Sequence, residues 1–221
     1  MQNVTGAVIA AAGLGTRIGL GMPKCMIEID GTTILTRLIS TLRLHVPVIH
    51  LVVGYREEMI IEYCARHHRD VVLVRNPDFR TTNTAYSLAK GAQSLTGKVL
   101  YLDGDLLISE KSLANFIAES QKTEILIGLT NAKSENAVFA HTDIIENYVQ
   151  VTGFSRSRIS EFEWANVLVA PSRFMKGASG YVFERLIDRL PIKGAMLELA
   201  EVDTASDLDE AKLFLQKMDG R

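Results

Sequence analysis

The segment from residue 7 to residue 24 restricts the fold of this chain more than any other part of the sequence. It reads AVIAAAGLGTRIGLGMPK. The apolar run from Ala7 to Ala12 predicts a strand buried on both faces, which is typical of a parallel sheet covered by helices on both sides. The strand leads directly into a glycine-rich loop, and glycines allow a backbone to approach a ligand closely. We therefore expect an α/β fold with a ligand-binding loop after its first strand.

The chemistry of this loop favours phosphate as the ligand. Gly13 and Gly15 leave backbone N–H groups open to phosphate oxygens, while Arg17 and Lys24 add positive charge beside them. Pro23 fixes its own backbone angle and biases the preceding residue towards an extended conformation, so Lys24 leaves the loop in a defined direction. The alternative is a glycine-rich turn with solvated basic side chains. Such a turn would not need glycines, a proline and two basic residues together at these spacings.

Composition excludes several other classes of protein. The 221 residues are 47% hydrophobic, which is enough for a sizeable core, and we expect a single domain over residues 1–221. The formal net charge of −2 gives no basic surface for nucleic acid, and no window approaches the roughly 20 apolar residues of a membrane span. The N-terminus shows no signal-peptide pattern, and the two cysteines form no disulfide framework. We expect a cytoplasmic protein with no nucleic-acid or membrane partner, and whether it forms a homodimer is left open.

Strand and helix patterns alternate along most of the chain. Apolar runs predict further strands at residues 47–53, 71–74, 98–102, 125–129, 164–170 and 197–202. Helical periodicity and capping residues predict helices at residues 34–42, 57–68, 113–120 and 204–218, with another inside 173–189. Two more strands between residues 137 and 151 indicate an antiparallel portion of the sheet. Together these patterns predict a three-layer, Rossmann-like α/β fold with a mixed, mainly parallel sheet flanked by helices.

Two further motifs place polar groups where such a sheet binds ligands. Asp103-Gly104-Asp105 follows the strand predicted at residues 98–102, and carboxylates at the carboxyl end of a strand suit Mg²⁺ that bridges to phosphates. A plain Asp-Gly turn is the alternative. Thr82 or Asn83 predicts the N-cap of a helix, and a helix start also presents N–H donors to a ligand.

The glycine loop resembles the signature of the nucleotidyltransferase superfamily that includes the sugar-phosphate nucleotidylyltransferases. That signature is a strand, then Ala-Ala-Gly-x-Gly-x-Arg, then a short spacer ending in Pro-Lys, and it stands here as residues 11–17 and 23–24. Asn83 replaces the glycine of the family's Gly-Thr-Ala segment, which resembles the phosphocholine and aminoethylphosphonate cytidylyltransferase branch. The segment at residues 201–208, EVDTASDL, resembles that branch's C-terminal motif, whose Asp is the second metal ligand. The resemblance implies a fold of the nucleotide-diphospho-sugar transferase type.

The same resemblance implies an activity. Such enzymes join a phosphorylated small molecule to a nucleoside triphosphate (NTP), with Mg²⁺ as cofactor, and release pyrophosphate. The C-terminal motif, Asn83 and the short chain favour CTP and a small phosphorylated or phosphonate acceptor, which would give a CDP-activated product. One alternative is a sugar-1-phosphate nucleotidylyltransferase that uses UTP, dTTP or GTP. The alternative of another class is a non-catalytic nucleotide-binding module.

Each residue that matches a family motif is expected to take that motif's role. Lys24 and Arg17 are the catalytic residues, which neutralise charge on the reacting phosphates and hold the leaving pyrophosphate. Asp105 and Asp203 hold the metal between them. The expected nucleotide-binding residues are Ala11, Ala12, Gly13, Leu14, Gly15, Thr16, Asn83, Thr84, Ala85 and Asp103.

The acceptor is expected on the side of the metal opposite the nucleotide. Basic side chains would bind its phosphate, and aromatic and acidic side chains would receive a cationic amine by stacking and charge. For Trp164 a place in the core is the alternative, because tryptophan is usually well buried. The candidates are Arg75 and Arg80 for the phosphate, and Trp164, Tyr181 and Glu161 for the amine.

Overall fold

A large sheet with helices on both faces forms the framework of the chain. The computed structural model describes residues 3–15, 21–133, 137–146 and 148–218. The strands in these ranges are β1 Val4–Ala11, β2 Glu28–Ile29, β3 Thr32–Thr33, β4 Ile49–Val53, β5 Val72–Arg75, β6 Lys98–Asp103, β7 Leu106–Ile108, β8 Leu126–Asn131, β9 Phe139–Ile145, β10 Tyr148–Ser155, β11 Phe162–Pro171, β12 Ile192–Met196 and β13 Leu199–Glu201. The helices are α1 Ile34–Arg43, α2 Glu57–His67, α3 Thr84–Gly91, α4 Glu110–Ser120, α5 Val182–Ile187 and α6 Asp207–Met218.

Within the described ranges, nine strands form the main sheet in the order β5-β4-β1-β6-β11-β8-β12-β10-β9. The first four are parallel to one another, and β8 is parallel to β12. Of these nine strands, β10 and β11 run against the others. The mixed, mainly parallel sheet expected from the sequence is therefore confirmed.

β1 lies in the parallel half of the sheet and is buried on both faces, as its apolar sequence predicts. Val8 packs on the side that carries α3 and α5, and Ile9 packs on the side that carries α1, α2 and α4. Neither side chain is accessible to solvent. Gly91 of α3 lies so close to β1 that a Cβ atom there would collide with Val8. Helices on both faces give the three layers of the fold.

β7 and β13 form a separate two-stranded ribbon, and β7 begins just after the carboxyl end of β6. Glu201 stands opposite Leu106 in this antiparallel pair. α6 packs on the ribbon through the buried Ala211. The strand expected at residues 197–202 is present as the shorter β13, which pairs with the three-residue strand β7 and not with the main sheet.

Among the strands that the sequence does not predict are β7 and β12. β7 is too short to show a periodic pattern, and in β12 Lys193 and Gly194 interrupt the apolar run. β12 nevertheless lies inside the main sheet, between β8 and β10. The two strands expected between residues 137 and 151 correspond to β9 and β10. In the part of the chain that the structure describes, every helix is too short or too polar to cross a membrane.

Candidate active site

A cleft of about 440 Å³ opens at the carboxyl ends of β1 and β6. Open α/β sheets bind ligands at this edge. The walls of the cleft come from the glycine loop, the loop before α3, the start of α3, the turn after β6 and the segment after β13. The lining residues are Ala10, Ala11, Ala12, Gly13, Leu14, Gly15, Lys24, Cys25, Phe79, Arg80, Thr82, Asn83, Thr84, Ser87, Asp103, Gly104, Asp105, Tyr181, Glu201 and Asp203.

The glycine loop is fixed at its start by hydrogen bonds to two neighbouring loops. The N–H of Gly104 donates to the carbonyl of Ala10 at 2.9 Å, and the N–H of Tyr55 donates to the carbonyl of Ala12 at 3.1 Å. Gly15 has a φ of +58°, and a Cβ atom there would lie 3.2 Å from Cγ of Lys24. Glycine is therefore needed at this position both for its backbone angle and for space.

Three carboxylates meet in the cleft. One oxygen from each of Asp105, Glu201 and Asp203 lies within 4.8 Å of the other two. The ammonium of Lys24 donates to Oδ2 of Asp105 at 3.1 Å and also to Oδ1 of Asp203. Oδ1 of Asp105 is buried and has no hydrogen-bond partner in the described part of the chain. A cation would satisfy such an oxygen.

The β7–β13 ribbon brings these carboxylates together from distant parts of the sequence. Just beyond the ribbon, the N–H of Val202 donates to the carbonyl of Asp105 at 3.1 Å. Oδ2 of Asp207, at the start of α6, accepts from the N–H groups of Asp203 and Thr204 at 2.9 and 2.7 Å. The backbone around Asp203 is therefore held on both sides.

Glu201 accepts a hydrogen bond from a residue at an irregular position in the main-sheet strand β11. Nδ2 of Asn166 donates to Oε2 of Glu201 at 3.3 Å. Asn166 has a φ of +54°, and the register of β11 against β8 shifts between Trp164 and Leu168. Asparagine tolerates this left-handed conformation better than most residues. The irregularity thus brings an amide to a carboxylate that could ligate a metal.

The carboxylate cluster carries more negative charge than Lys24 balances. Burial disfavours the ammonium of Lys24, but the charges of Asp105 and Asp203 outweigh this effect and raise its pKa above the ordinary value. Burial, followed by the charge of Asp105, raises the pKa of Asp103 well above its usual range, and the same two causes raise the pKa of Glu201. Carboxyl groups in such a cluster ionise more readily when another cation joins them. Three hard oxygen donors with excess negative charge fit a divalent cation such as Mg²⁺.

The start of α3 forms the wall of the cleft that faces the glycine loop, as the sequence predicts. Asn83 is the N-cap residue, and its side chain makes no capping hydrogen bond. The fully buried Asn76 donates to the side chains of Thr82 and Ser87 at 3.0 Å each, which fixes the preceding loop to the helix. Asn83 and Thr84 are thereby presented to the cleft on a rigid support.

A smaller cavity of about 240 Å³ adjoins the cleft. The two share Thr84, Asp103, Tyr181, Glu201 and Asp203, so they meet at the carboxylates. The other residues that line the smaller cavity are Leu88, Tyr101, Ala137, Val138, Arg156, Glu163, Trp164, Asn166, Leu168, Val182 and Phe183.

Aromatic rings form part of the wall of this smaller cavity. The ring of Tyr181 stacks on that of Phe183 with centroids 5.8 Å apart, and the guanidinium of Arg156 lies 4.3 Å from the Tyr181 centroid. Phe154 packs edge-on against Trp164 at 6.1 Å. Trp164 is 8% exposed, so it is a core residue and also part of the cavity wall.

The arrangement of the cleft agrees with a comparison of the sequence with known families. The model of the MobA-like NTP transferase domain matches residues 7–163. This chain belongs to the MobA-like NTP transferase family. The matched range includes the glycine loop, the start of α3 and Asp105, and the resemblance to nucleotidyltransferases seen in the sequence is confirmed.

The chain also has curated relatives. It is 29% identical, over 97% of its length, to the bifunctional protein GlmU of Methanococcus vannielii, of which it covers 50%. It is 33% identical, over 49% of its length, to the 2-aminoethylphosphonate cytidylyltransferase of Lancefieldella rimae, of which it covers 46%. The chain thus spans about half the length of these curated relatives.

A solved structure of another protein has the same fold as this chain. The CTP:phosphocholine cytidylyltransferase LicC of Streptococcus pneumoniae superposes with a TM-score of 0.75 at 18% identity, over 97% of this chain and 100% of that one. The expected nucleotide-diphospho-sugar transferase type of fold is therefore confirmed.

Most of the candidate residues line one of the two cavities. Trp164 lines the smaller cavity, and Tyr181 lines both. Thr16 and Arg17 lie outside the described residues. The candidates that line the cleft are Ala11, Ala12, Gly13, Leu14, Gly15, Lys24, Arg80, Asn83, Thr84, Asp103, Asp105 and Asp203.

Three candidates within the described residues line neither cavity. Ala85 is the second residue of α3 and is buried in the core. Arg75 lies outside both cavities, where its Nε donates to Oε1 of Glu57 at 2.9 Å. Glu161 precedes β11 and is exposed, whereas Glu163, within the strand, lines the smaller cavity. Glu163, and not Glu161, therefore lines the smaller cavity.

The sequence-based assignment also misses Glu201, the third carboxylate of the cluster. Glu201 stands two residues before Asp203 in an extended segment, and side chains two positions apart in a strand lie on the same side. This Glu-x-Asp spacing is the sequence signal that identifies it.

Proposed function

We propose that this MobA-like domain transfers CMP from CTP to a small phosphorylated or phosphonate acceptor. The reaction would depend on Mg²⁺, release pyrophosphate and give a CDP-activated product. The observation that carries this proposal is the junction of the cleft and the smaller cavity at Asp103, Glu201 and Asp203. A nucleotide in the cleft and an acceptor in the cavity would meet at these carboxylates.

The phosphate or phosphonate of the acceptor supplies the nucleophile. Its oxygen attacks the α-phosphorus and forms a new P–O bond, while the bond from the α-phosphorus to the oxygen that bridges to the β-phosphate breaks. Pyrophosphate leaves with the electron pair of the broken bond. Because the second pKa of a phosphate group is about 6, the attacking oxygen is already ionised at neutral pH. The reaction therefore needs positioning and charge stabilisation more than a general base.

Side chains and backbone groups of this chain would supply both the positioning and the charge stabilisation. The N–H groups of the glycine loop would bind phosphate oxygens, and Lys24 would neutralise charge that develops around the α-phosphorus. Arg17 is proposed to hold the leaving pyrophosphate. Asp105, Glu201 and Asp203 would hold Mg²⁺, which when bound offsets the negative charge of the reacting phosphates.

Selection of cytosine is proposed to come from the start of α3. The side-chain amide of Asn83 offers a donor and an acceptor, and the first N–H groups of the helix are fixed donors. Because the side chain of Asn83 makes no capping hydrogen bond, its amide is available for the base. The name of the relative from Lancefieldella rimae, a 2-aminoethylphosphonate cytidylyltransferase, supports both CTP and a phosphonate acceptor.

The acceptor is proposed to bind in the smaller cavity. Arg80 and Arg156 are the candidate partners of its phosphate, and Trp164, Tyr181 and Glu163 would surround its other end. One observation favours the alternative of a sugar 1-phosphate with UTP, dTTP or GTP. Glu163 and Asn166 place polar atoms beside Trp164, and an aromatic ring flanked by polar groups also suits a sugar.

A pyrophosphate-release assay tests this proposal. We expect CTP to give the highest kcat/KM among CTP, UTP, dTTP, GTP and ATP, with 2-aminoethylphosphonate, phosphoethanolamine, phosphocholine and glucose 1-phosphate as acceptors. Asp105→Asn should abolish release, whereas Asp188→Asn, at the end of α5 and outside both cavities, should not. Faster release from UTP or dTTP with glucose 1-phosphate would favour the sugar-nucleotide reaction. Nucleotide binding without release from any mixture would instead indicate a non-catalytic module.

A further inference from the structure

The smaller cavity has an apolar inner wall with one hydroxyl group in it. Leu88, Trp164, Leu168 and Val182 line this wall, and each is at most 8% exposed. Tyr101 lies among them on β6, two residues before Asp103. Because side chains two positions apart in a strand lie on the same face, Tyr101 and Asp103 line the same cavity at successive positions. The cavity thus runs from the carboxylates to Tyr101.

The hydroxyl of Tyr101 has no hydrogen-bond partner among the residues that the structure describes, although the side chain is 1% exposed. Buried polar groups in folded proteins are nearly always paired, so an unpaired one adjoining a cavity is unusual. Burial also raises the pKa of this phenol above its ordinary value, which keeps the hydroxyl neutral and able to donate. A ligand with a hydrogen-bonding group at its inner end would supply the missing partner.

We propose that Tyr101 selects acceptors that carry a hydroxyl or primary amine at the end remote from their phosphate. Such a group can accept from the Tyr101 hydroxyl or donate to it. A methyl or trimethylammonium group can do neither, and it would leave the hydroxyl unpaired in an apolar wall. This inference deepens the proposed function and rests on it, because it treats the smaller cavity as the acceptor site.

Two tyrosine variants separate this role from a structural one. Tyr101→Phe removes the hydroxyl and keeps the ring, and Tyr148→Phe makes the same change on β10, outside both cavities. If the hydroxyl serves only a ligand, Tyr101→Phe removes no bond from the unliganded protein, and its Tm should equal or exceed that of the wild type. A structural hydroxyl would lower the Tm and would weaken all acceptors alike.

Binding is measured by isothermal titration calorimetry on the full chain with Mg²⁺, with and without the non-reacting α,β-methylene analogue of CTP. The ligands are 2-hydroxyethyl phosphate and propyl phosphate, which have similar shapes and differ in the terminal hydroxyl. We expect the wild type and Tyr148→Phe to prefer the hydroxyl ligand by about tenfold, and Tyr101→Phe to bind both equally.

Several results would overturn the role of Tyr101. These are equal binding of the two ligands to the wild type, binding of neither, or a preference that persists in Tyr101→Phe. The same ligands are then tested for pyrophosphate release with each nucleotide. If the preference depends on Tyr101 but no mixture releases pyrophosphate, the transfer reaction is wrong and the recognition by Tyr101 stands.

Discussion

At the scale of single residues, Lys24 is the group on which the proposed chemistry depends most. Its side chain is largely buried, and it pairs with Asp105 and Asp203. Since these contacts raise its pKa, the ammonium stays charged at neutral pH. We expect Lys24→Ala to lower kcat by about 10²- to 10³-fold, the usual scale for one lost donor to a transition state, while far-UV circular dichroism shows a folded chain. Lys111→Ala, an exposed lysine of α4, is the matched control.

The contacts of Lys24 also distinguish this role from a purely structural one. Its positive charge lies against Asp105 and Asp203, two of the three carboxylates that a divalent cation would use. Without nucleotide, Lys24→Ala should therefore bind Mn²⁺ more tightly than the wild type in an electron paramagnetic resonance titration. Normal turnover by a folded Lys24→Ala variant would remove Lys24 from the mechanism.

At the scale of elements, the β7–β13 ribbon determines which carboxylates meet. Because Glu201 ends β13 beside Asp105, and Asn166 orients its side chain, we expect it to act as a metal ligand. Glu201→Gln should raise the Mg²⁺ concentration for half-maximal rate by at least about tenfold. Glu198→Gln, an exposed residue just before the strand, should leave it unchanged. An identical Mg²⁺ dependence in both variants would exclude Glu201 from the metal site.

At the scale of the whole molecule, local patterns predict much of the fold and of the cleft. The strand that leads into Gly13, the helix that starts at Asn83 and the carboxylates after β6 are each encoded by residues close together in the sequence. Their meeting at one sheet edge follows from the general geometry of parallel sheets.

Long-range pairing accounts for what the sequence does not predict. Glu201 reaches Asp105 because β13 pairs with a strand more than 90 residues earlier, and that strand, β7, is too short to carry a periodic signal. β12 enters the main sheet by pairing with β8 and β10, although its own sequence is weakly apolar. Residue type alone suggests Arg75 and Glu161 for the acceptor site, and only the packing of their elements shows that they lie outside both cavities.

In the proposed reaction, an acceptor oxygen attacks the α-phosphorus of a nucleotide bound in the cleft. The most direct test uses CTP, Mg²⁺ and 2-aminoethylphosphonate whose phosphonate oxygens are labelled with ¹⁸O, followed by ³¹P nuclear magnetic resonance and mass spectrometry. We expect a CDP-type product with ¹⁸O in the oxygen that bridges the two phosphorus atoms, together with unlabelled pyrophosphate. Formation of CMP without any labelled bridge, or no reaction with any nucleotide and acceptor, would contradict this reaction.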